Sequence, residues 1–288
     1  MIRIDFHTHV STGMMGPGFS PVREDGELTY IDGSKERVLQ LLDEAKIDKA
    51  VALPFNPYQP HPKVKPLRYY GKEMKGYSDC TNEFVSGLVK EHPDRFVGFA
   101  TVNPKDTGYS IPLLEYAVSE LGLKGVKIYP GAWKFYPNDP DVFPVYRKAV
   151  ELGIVIMFCT SIWSPFYGGS KYARPSYVDD VVRTFPDGKF VIAHFGALGV
   201  GQESLAVACG YENVYLDTAH AFTYPADFET AIAMVGPGRL IFGSDAPEWV
   251  SPAEQAKFVE ETAAKVGLSK DEIDMIMGGN AAKLLDLD

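Results

Sequence analysis

The sequence has few cysteines, and their spacing excludes a framework of disulfide bonds. Three are present among 288 residues, at Cys80, Cys159 and Cys209, so their number is odd and their separations are wide. Disulfide-stabilised domains use closely spaced cysteines in even numbers, and this pattern instead predicts a reducing compartment, the cytoplasm. A basic segment followed by an apolar one, typical of a secretory signal, is also lacking at the start of the chain.

Positive charge and long hydrophobic runs are scarce as well. Lys and Arg number 28 against 38 Asp and Glu, which gives a formal net charge of −10, and no block of basic residues stands out. This balance disfavours nucleic acid and acidic membrane surfaces as partners. No apolar run reaches the roughly 18 residues of a membrane-spanning helix. We therefore expect a protein that acts on a small molecule, with no nucleic-acid or membrane partner.

What the sequence does contain is a regular alternation of short apolar runs and segments with helical spacing. Parallel strands need crossover connections, which are usually helices, so eight such units predict a single-domain (β/α)8 barrel over residues 1–288. An open doubly wound sheet is the alternative, but no glycine fingerprint follows the first strand. The predicted strands lie at 2–6, 49–53, 96–101, 124–129, 154–158, 189–193, 213–216 and 239–243.

Two of the six histidines, His7 and His9, lie one residue apart in "IDFHTH" at the end of the first predicted strand. Residues i and i+2 of a strand point to the same side, so Asp5, His7 and His9 are expected on the inner face of the barrel. Two neighbouring imidazoles can share a divalent cation through their lone pairs. Taken alone, such a pair is more typical of two hydrogen-bonded histidines at a strand end that have no metal.

Two further polar residues follow apolar runs at the same end of the predicted barrel. His194 ends the sixth strand in "FVIAHFGALG", and Asp245 ends the eighth in "RLIFGSDAP". Active sites of such barrels lie at the carboxyl ends of the strands, and the first and eighth strands are neighbours once the barrel closes. Asp245 can also be the N-cap of a following turn. Together with three histidines at strand ends, however, it favours a metal site.

These motifs resemble those of the amidohydrolase superfamily, and within it the branch that includes the aminocarboxymuconate semialdehyde decarboxylase group. The resemblance implies a divalent metal ion held by His7, His9 and Asp245, with His194 as a further ligand or an acid–base group. Relatives are often dimers or larger, which implies a homo-oligomer. The motifs that carry the resemblance cover nearly the whole chain: "IDFHTH", "GLKGVKIYP", "ELGIVIMFCTS", "FPDGKFVIAHFG", "NVYLDTA", "RLIFGSDAPEW" and "GGNAAKLL".

Two positions depart from what is common in the superfamily. Many relatives end the fifth strand with a metal-binding histidine, where this chain has Cys159. A thiolate ligand would favour zinc over manganese, whereas a small buried cysteine would mark a lost ligand. Other branches carry a carboxylated lysine on the fourth strand. Here Lys127 is expected to bind an acidic group of the substrate, or to pair with Asp217 or Asp245.

Several other residues near the predicted mouth of the barrel are candidates for substrate binding. Arg174 can hold a carboxylate through two parallel hydrogen bonds, unless it is an ordinary surface arginine. His220 follows the seventh strand and can contact substrate or lie in a surface loop. Tyr129, Trp133 and Trp163 can form an apolar wall for a ring, or can pack within loops.

From these residues and the resemblance, we expect a metal-dependent hydrolase of a small lactone or amide that carries a carboxylate. Asp245 would accept a proton from the attacking water, and His194 would orient the water or polarise the carbonyl. The cofactor is expected to be Zn²⁺, with Mn²⁺ as the alternative. A non-oxidative decarboxylase of an aromatic or muconate-type acid is the second hypothesis. A barrel that binds a ligand without catalysis is the third, and it depends on Cys159 alone.

Overall fold

Eight parallel strands alternate with helices along the chain, as the apolar runs predict. The computed structural model describes residues 1–15, 31–54, 68–69, 72–73, 80–160, 169–195, 197–247 and 250–287. Each barrel strand overlaps its predicted position, and the largest difference is the extension of the first strand to His9. The barrel strands, β1 to β8, are Ile4–His9, Lys49–Leu53, Phe96–Thr101, Gly125–Ile128, Val155–Cys159, Lys189–Ala193, Val214–Asp217 and Leu240–Ile241.

The sheet follows chain order from β1 to β8, and its two ends meet. The backbone N–H of Phe6 donates to the carbonyl of Phe242 at 2.8 Å, and that of His9 donates to Ala246 at 2.7 Å. A parallel bridge also joins Thr8 to Ala246. These contacts close the sheet into a barrel and bring the residues that follow β8 beside β1, which confirms the predicted (β/α)8 fold.

Helices cover the outside of the barrel, and the capping box predicted at Ser251 is present. Ser251 caps the helix that begins at Pro252, and Glu254 completes the capping box by bonding back to Ser251. Short helical turns and two pairs of very short strands complete the described chain. The helices are α1 to α11 in chain order: Lys35–Glu44, Asn82–Glu91, Thr107–Ser119, Pro130–Trp133, Phe143–Glu151, Val178–Thr184, Gly201–Gly210, Pro225–Val235, Pro252–Lys265, Lys270–Asp274 and Asn280–Leu284.

The hydrophobic core has two layers, one between strands and helices and one inside the barrel. The inner layer takes alternate residues of the strands, among them Val97, Phe99 and Met157. Phe99 fills the space beside Gly125, where an added Cβ would lie 2.4 Å from its ring. Because the inner layer fills the lower part of the barrel, polar side chains of the interior collect near the carboxyl ends of the strands.

Side chains do not alternate strictly between the two faces of the sheet along β1, and this changes the expected position of Asp5. The register against β2 shifts between Asp5 and Thr8, and Ile4 and Phe6 belong to the inner core layer. Asp5, expected on the face of the two histidines, instead accepts hydrogen bonds from the backbone N–H of His7 and of Ser244. The irregularity therefore uses Asp5 to fix β1 against the segment after β8, and leaves the histidines to face the site.

None of the helices in the described ranges combines the length and the apolar character that crossing a lipid bilayer requires.

Candidate metal centre

Polar side chains from six of the eight strands converge near the carboxyl ends of the barrel. The rings of His7 and His194 lie 4.6 Å apart between centroids, and those of His194 and His220 lie 5.3 Å apart. All members of the cluster are buried, with at most 4% of any residue exposed. Strands β1, β4, β5, β6, β7 and β8, or the residues just after them, contribute His7, His9, Lys127, Cys159, His194, Asp217, His220 and Asp245.

Three of these residues have left-handed backbones. The φ angles are 60° at His194, 66° at His220 and 62° at Asp245. Such angles are uncommon for residues other than glycine and concentrate where a structure fixes functional side chains. Each residue lies one to four positions beyond a strand, so the sharp turn there directs its side chain across the mouth of the barrel. Sequence periodicity carries no signal for this backbone geometry.

The first group of the centre consists of His7, His9 and Asp245. Both histidine Nε2 atoms lie 3.1 Å from Asp245 Oδ1. Asp245 Oδ1 is buried and accepts no well-aligned hydrogen bond from the described residues. Two imidazole nitrogens and one carboxylate oxygen therefore face a common point, as the sequence predicts for strands that meet when the barrel closes.

Outer contacts hold both rings of this group in place. Nδ1 of His7 is 2.7 Å from Asp217 Oδ2, and Nδ1 of His9 is 3.3 Å from the carbonyl oxygen of Leu53. Asp217 is itself fixed, because its Oδ1 accepts from the backbone N–H of His194 and of Ala219. A carboxylate or carbonyl behind each imidazole is the usual support of metal-binding histidines, since it keeps the Nδ1 proton outward and directs Nε2 to the ion.

The second group shares Asp245 with the first. His220 Nε2 is 2.7 Å from Asp245 Oδ2, and His194 Nε2 is 3.6 Å from the same oxygen. Cys159 Sγ lies 3.9 Å from His194 Nδ1. The described side chains thus form two sets of potential metal ligands, His7–His9–Asp245 and His194–His220–Asp245, with Cys159 beside the second set rather than in either.

Burial and neighbouring charge set the protonation of these groups. Burial, followed by the charge of Lys127, lowers the pKa of His9 to about 3. Burial, followed by the charge of His7, lowers the pKa of His194 well below its usual value. Burial opposes ionisation of Asp245, but His7 and the hydrogen bond from His220 outweigh it and keep its pKa well below the usual range. At neutral pH, His9 and His194 are neutral and Asp245 is charged, the states that bind cations.

Lys127 lies inside the same cluster and is fully buried. Its Nζ is 2.6 Å from His7 Nε2 and 3.5 Å from His9 Nε2. Burial and Lys127 lower the pKa of His7, but the charges of Asp217 and Asp245 outweigh them and raise it. Protons on both His7 nitrogens would leave no lone pair for Lys127. The short contact therefore places one extra proton between His7 and Lys127.

Comparison with known families agrees with this architecture. The sequence profile of the amidohydrolase family matches residues 4–287, which is nearly the whole chain. The chain belongs to the amidohydrolase family. This result confirms the resemblance seen in the sequence motifs.

Named relatives of this family member include decarboxylases and a hydrolase. A 2-amino-3-carboxymuconate-6-semialdehyde decarboxylase of Dictyostelium discoideum is 31% identical over 75 residues, which are 26% of this chain and 21% of the relative. A dihydroxybenzoic acid decarboxylase from Polaromonas sp., solved with bound manganese and 2-nitroresorcinol, superposes with a TM-score of 0.70 at 18% identity, over 99% of this chain and 97% of that one.

A probable 2-pyrone-4,6-dicarboxylic acid hydrolase from Acinetobacter baumannii superposes with a TM-score of 0.63 at 17% identity, over 99% of this chain and 100% of that one. At these identities the two solved structures show a shared fold. The short match to the Dictyostelium protein covers about a fifth of that relative's length.

The side chains of this family member fit a divalent cation. Two histidines with outward-held Nδ1 atoms and a buried carboxylate oxygen without an aligned hydrogen bond are suited to an ion with nitrogen and oxygen ligands. Lys127 is the one feature of the described cluster that an ordinary metal site lacks. The donor set itself is common to several divalent metals.

The aromatic residues and the arginine predicted to bind substrate lie in different surroundings: the aromatic pair is buried, and the arginine lies at the surface. Tyr129 is buried, donates its hydroxyl hydrogen to the carbonyl of Pro54 at 2.7 Å, and packs edge-on against Trp133 with 5.9 Å between ring centroids. Arg174 is half-exposed and pairs with Glu203 rather than with the buried cluster.

Trp163, predicted to form part of a wall of the substrate site, lies outside the described residues.

The sequence analysis did not identify Asp217 as the residue that orients His7. Its signal was a charged residue at the end of an apolar strand, in "NVYLD".

Proposed function

We propose that the protein is a divalent-metal-dependent decarboxylase that removes CO2 from a small aromatic or muconate-type acid without oxidation. The observation that carries the proposal is the buried Asp245, whose two oxygens serve two separate groups of histidines. One group suits a cation and the other suits proton transfer. The names of the Dictyostelium and Polaromonas decarboxylases support this reaction over hydrolysis.

His7, His9 and Asp245 would hold the metal ion, and His194 is left for proton transfer. Bound there, a divalent cation supplies an electrophile for the carboxylate of the substrate and a neighbouring oxygen. Zinc would be favoured most strongly by a thiolate ligand, but Cys159 lies beside His194 and outside both ligand sets. With imidazole and carboxylate donors alone, zinc and manganese are both suitable, and a titration with each ion distinguishes them.

The reaction itself needs one proton at carbon and no electron acceptor. The bond between the carboxyl carbon and the adjacent carbon breaks, CO2 leaves, and the electron pair remains on the adjacent carbon. A proton then forms the new carbon–hydrogen bond. We assign its delivery to Asp245 and His194, which are unprotonated at rest and would pass on a proton taken up from solvent, with His220 holding Asp245 Oδ2 at 2.7 Å. His194 and His220 approach Asp245 Oδ2, whereas His7 and His9 approach Oδ1.

Substrate binding is assigned to Lys127 and to an aromatic wall that includes Tyr129 and Trp133. The carboxylate that departs loses its charge as CO2 forms, so an ammonium paired with it would oppose the reaction. Lys127 is better suited to an acidic group that stays on the product. His220 can contact the substrate from the opposite side of the mouth, and Trp163 remains a candidate for the same wall.

Hydrolysis of a lactone or amide is the second candidate, favoured by the likeness to the Acinetobacter hydrolase. In that reaction a water molecule attacks the carbonyl carbon, Asp245 accepts its proton, and His194 polarises the carbonyl oxygen. The two reactions use the same residues and differ in whether a carbon–carbon or a carbon–heteroatom bond breaks. The substrate assay therefore decides between them.

The test is a substrate screen on protein loaded separately with Mn²⁺ and Zn²⁺. Hydroxybenzoates and muconate-type acids are assayed for CO2 release, and lactones and amides of small carboxylic acids for ring opening or cleavage. Release of CO2 supports the decarboxylase, and turnover of lactones alone supports the hydrolase. Full activity in protein verified to be free of metal would reject metal dependence for either reaction.

A further inference from the structure

Lys127 places a basic nitrogen against the two nitrogen atoms that a metal ion would need. Its Nζ contacts Nε2 of His7 and of His9, and these same Nε2 atoms are the ones that lie 3.1 Å from Asp245 Oδ1. The contact is therefore with the inward atoms of the first group and not with its outer supports. Full burial fixes the lysine side chain in this enclosed space.

Each imidazole has one nitrogen available on this side. Nδ1 of His7 faces Asp217, and Nδ1 of His9 faces the carbonyl of Leu53, so Nε2 is the inward nitrogen of both rings. A ring nitrogen that shares a hydrogen with the lysine amine has no lone pair left for a metal ion. At His7, the lysine contact and metal coordination are therefore alternatives.

Charge leads to the same conclusion. Asp217 and Asp245 are buried carboxylates, and burial of such groups requires compensating positive charge. Lys127 Nζ lies 2.6 Å from His7 and brings a basic amine to this place. A divalent ion there would bring positive charge to the same small buried space, where repulsion between like charges is strong.

We propose that Lys127 and the divalent cation are alternative occupants of the space among His7, His9 and Asp245. Lys127 must then leave His7 Nε2 when the metal binds, and it weakens the affinity of the site for the ion. This inference rests on the metal dependence proposed above. It gives Lys127 a role in setting metal affinity that is separate from contact with substrate.

Metal affinity of lysine variants tests the competition directly. Chelator-treated wild-type, Lys127→Met and Lys127→Gln proteins are titrated calorimetrically with Mn²⁺ and, separately, with Zn²⁺. Both variants are expected to bind about 10- to 100-fold more tightly, the range over which neighbours of metal ligands alter affinity. Lys124→Met is the matched control, because it removes an exposed lysine three residues earlier in the same segment and should match wild type.

Equal or weaker binding by folded Lys127 variants, with wild type binding normally, would overturn the competition and leave the proposed function standing. Metal binding by none of the proteins would overturn both. Thermal unfolding establishes that each variant is folded, and Lys127→Gln replaces Lys127→Met if the latter is not.

A measurement on the wild-type chain keeps the proposal testable without any variant. The protein is labelled with ¹³Cε-lysine and titrated with diamagnetic Zn²⁺ while its lysine resonances are recorded. Displacement from His7 predicts that one buried lysine resonance shifts in proportion to bound zinc. A spectrum that does not change at saturating zinc would contradict the inference.

Discussion

The two sides of Asp245 are built differently. On the Oδ1 side, His7 and His9 come from one strand, and the outward nitrogen of each ring is held by a fixed oxygen. On the Oδ2 side, His194 and His220 come from two separate turns with left-handed backbones. Two histidines on one strand, each held at Nδ1, direct their Nε2 lone pairs to the place where a cation would bind. Independent turns place two imidazoles around an oxygen that can gain and lose a proton. Under the proposed function, the first is the binding side and the second is the proton-transfer side, and one carboxylate joins them.

The largest effect is expected from removing the residue that joins them. Asp245→Asn keeps the side-chain shape but deletes the charge that both groups share. Activity should fall by about 10²- to 10⁴-fold, the range for loss of an acid–base group, and metal binding should weaken as well. Steady-state kinetics and metal analysis of the same preparation provide the measurement. An active variant with normal metal content would show that neither side depends on the Asp245 charge.

Substitutions on either side should separate the two roles. His7→Gln is expected to weaken metal binding, because it removes an inward nitrogen ligand, whereas His194→Gln is expected to retain the metal and lose kcat. Calorimetric titration with Mn²⁺ and single-turnover kinetics distinguish the outcomes. His92→Gln, at the end of a helix and partly exposed, controls for loss of a histidine. Equal loss of metal in both site variants would remove the distinction.

A smaller effect is expected from the support behind His7. Asp217→Asn places an amide where a carboxylate accepts the Nδ1 proton, and can move that proton to Nε2, the inward nitrogen. Metal affinity should fall by about 10- to 100-fold while the backbone contacts of Asp217 Oδ1 remain possible. The exposed Asp187→Asn controls for the lost charge. Unchanged affinity would show that β1 alone orients His7.

The sequence predicts the barrel well, because each strand is a short apolar run bounded by turn residues. Every predicted run overlaps an observed strand, and the capping box at Ser251 and Glu254 marks the start of its helix. Strict alternation could not reveal the shift between Asp5 and Thr8, since a register irregularity depends on the neighbouring strands. The expectation for Asp5 was wrong for this reason.

The site was predictable to the extent that it depends on strand ends. The meeting of His7, His9 and Asp245 follows from closure of the barrel. The contacts of His220 with Asp245 and of Lys127 with His7 do not follow, because they depend on turn conformation and on side-chain reach across the barrel. Sequence spacing records neither property.

The smallest effect is expected from substitution of Cys159. This variant tests whether the metal ligands include a residue beside His194. Its Sγ lies 3.9 Å from His194 Nδ1, on the proton-transfer side of Asp245. Cys159→Ser should therefore leave Mn²⁺ and Zn²⁺ affinities unchanged, as should the control Cys209→Ser at an exposed cysteine. Selective loss of zinc affinity in Cys159→Ser alone would make the thiolate a ligand, because sulfur ligands discriminate zinc from manganese. It would also extend the metal site across Asp245, so that the carboxylate no longer separates two functions.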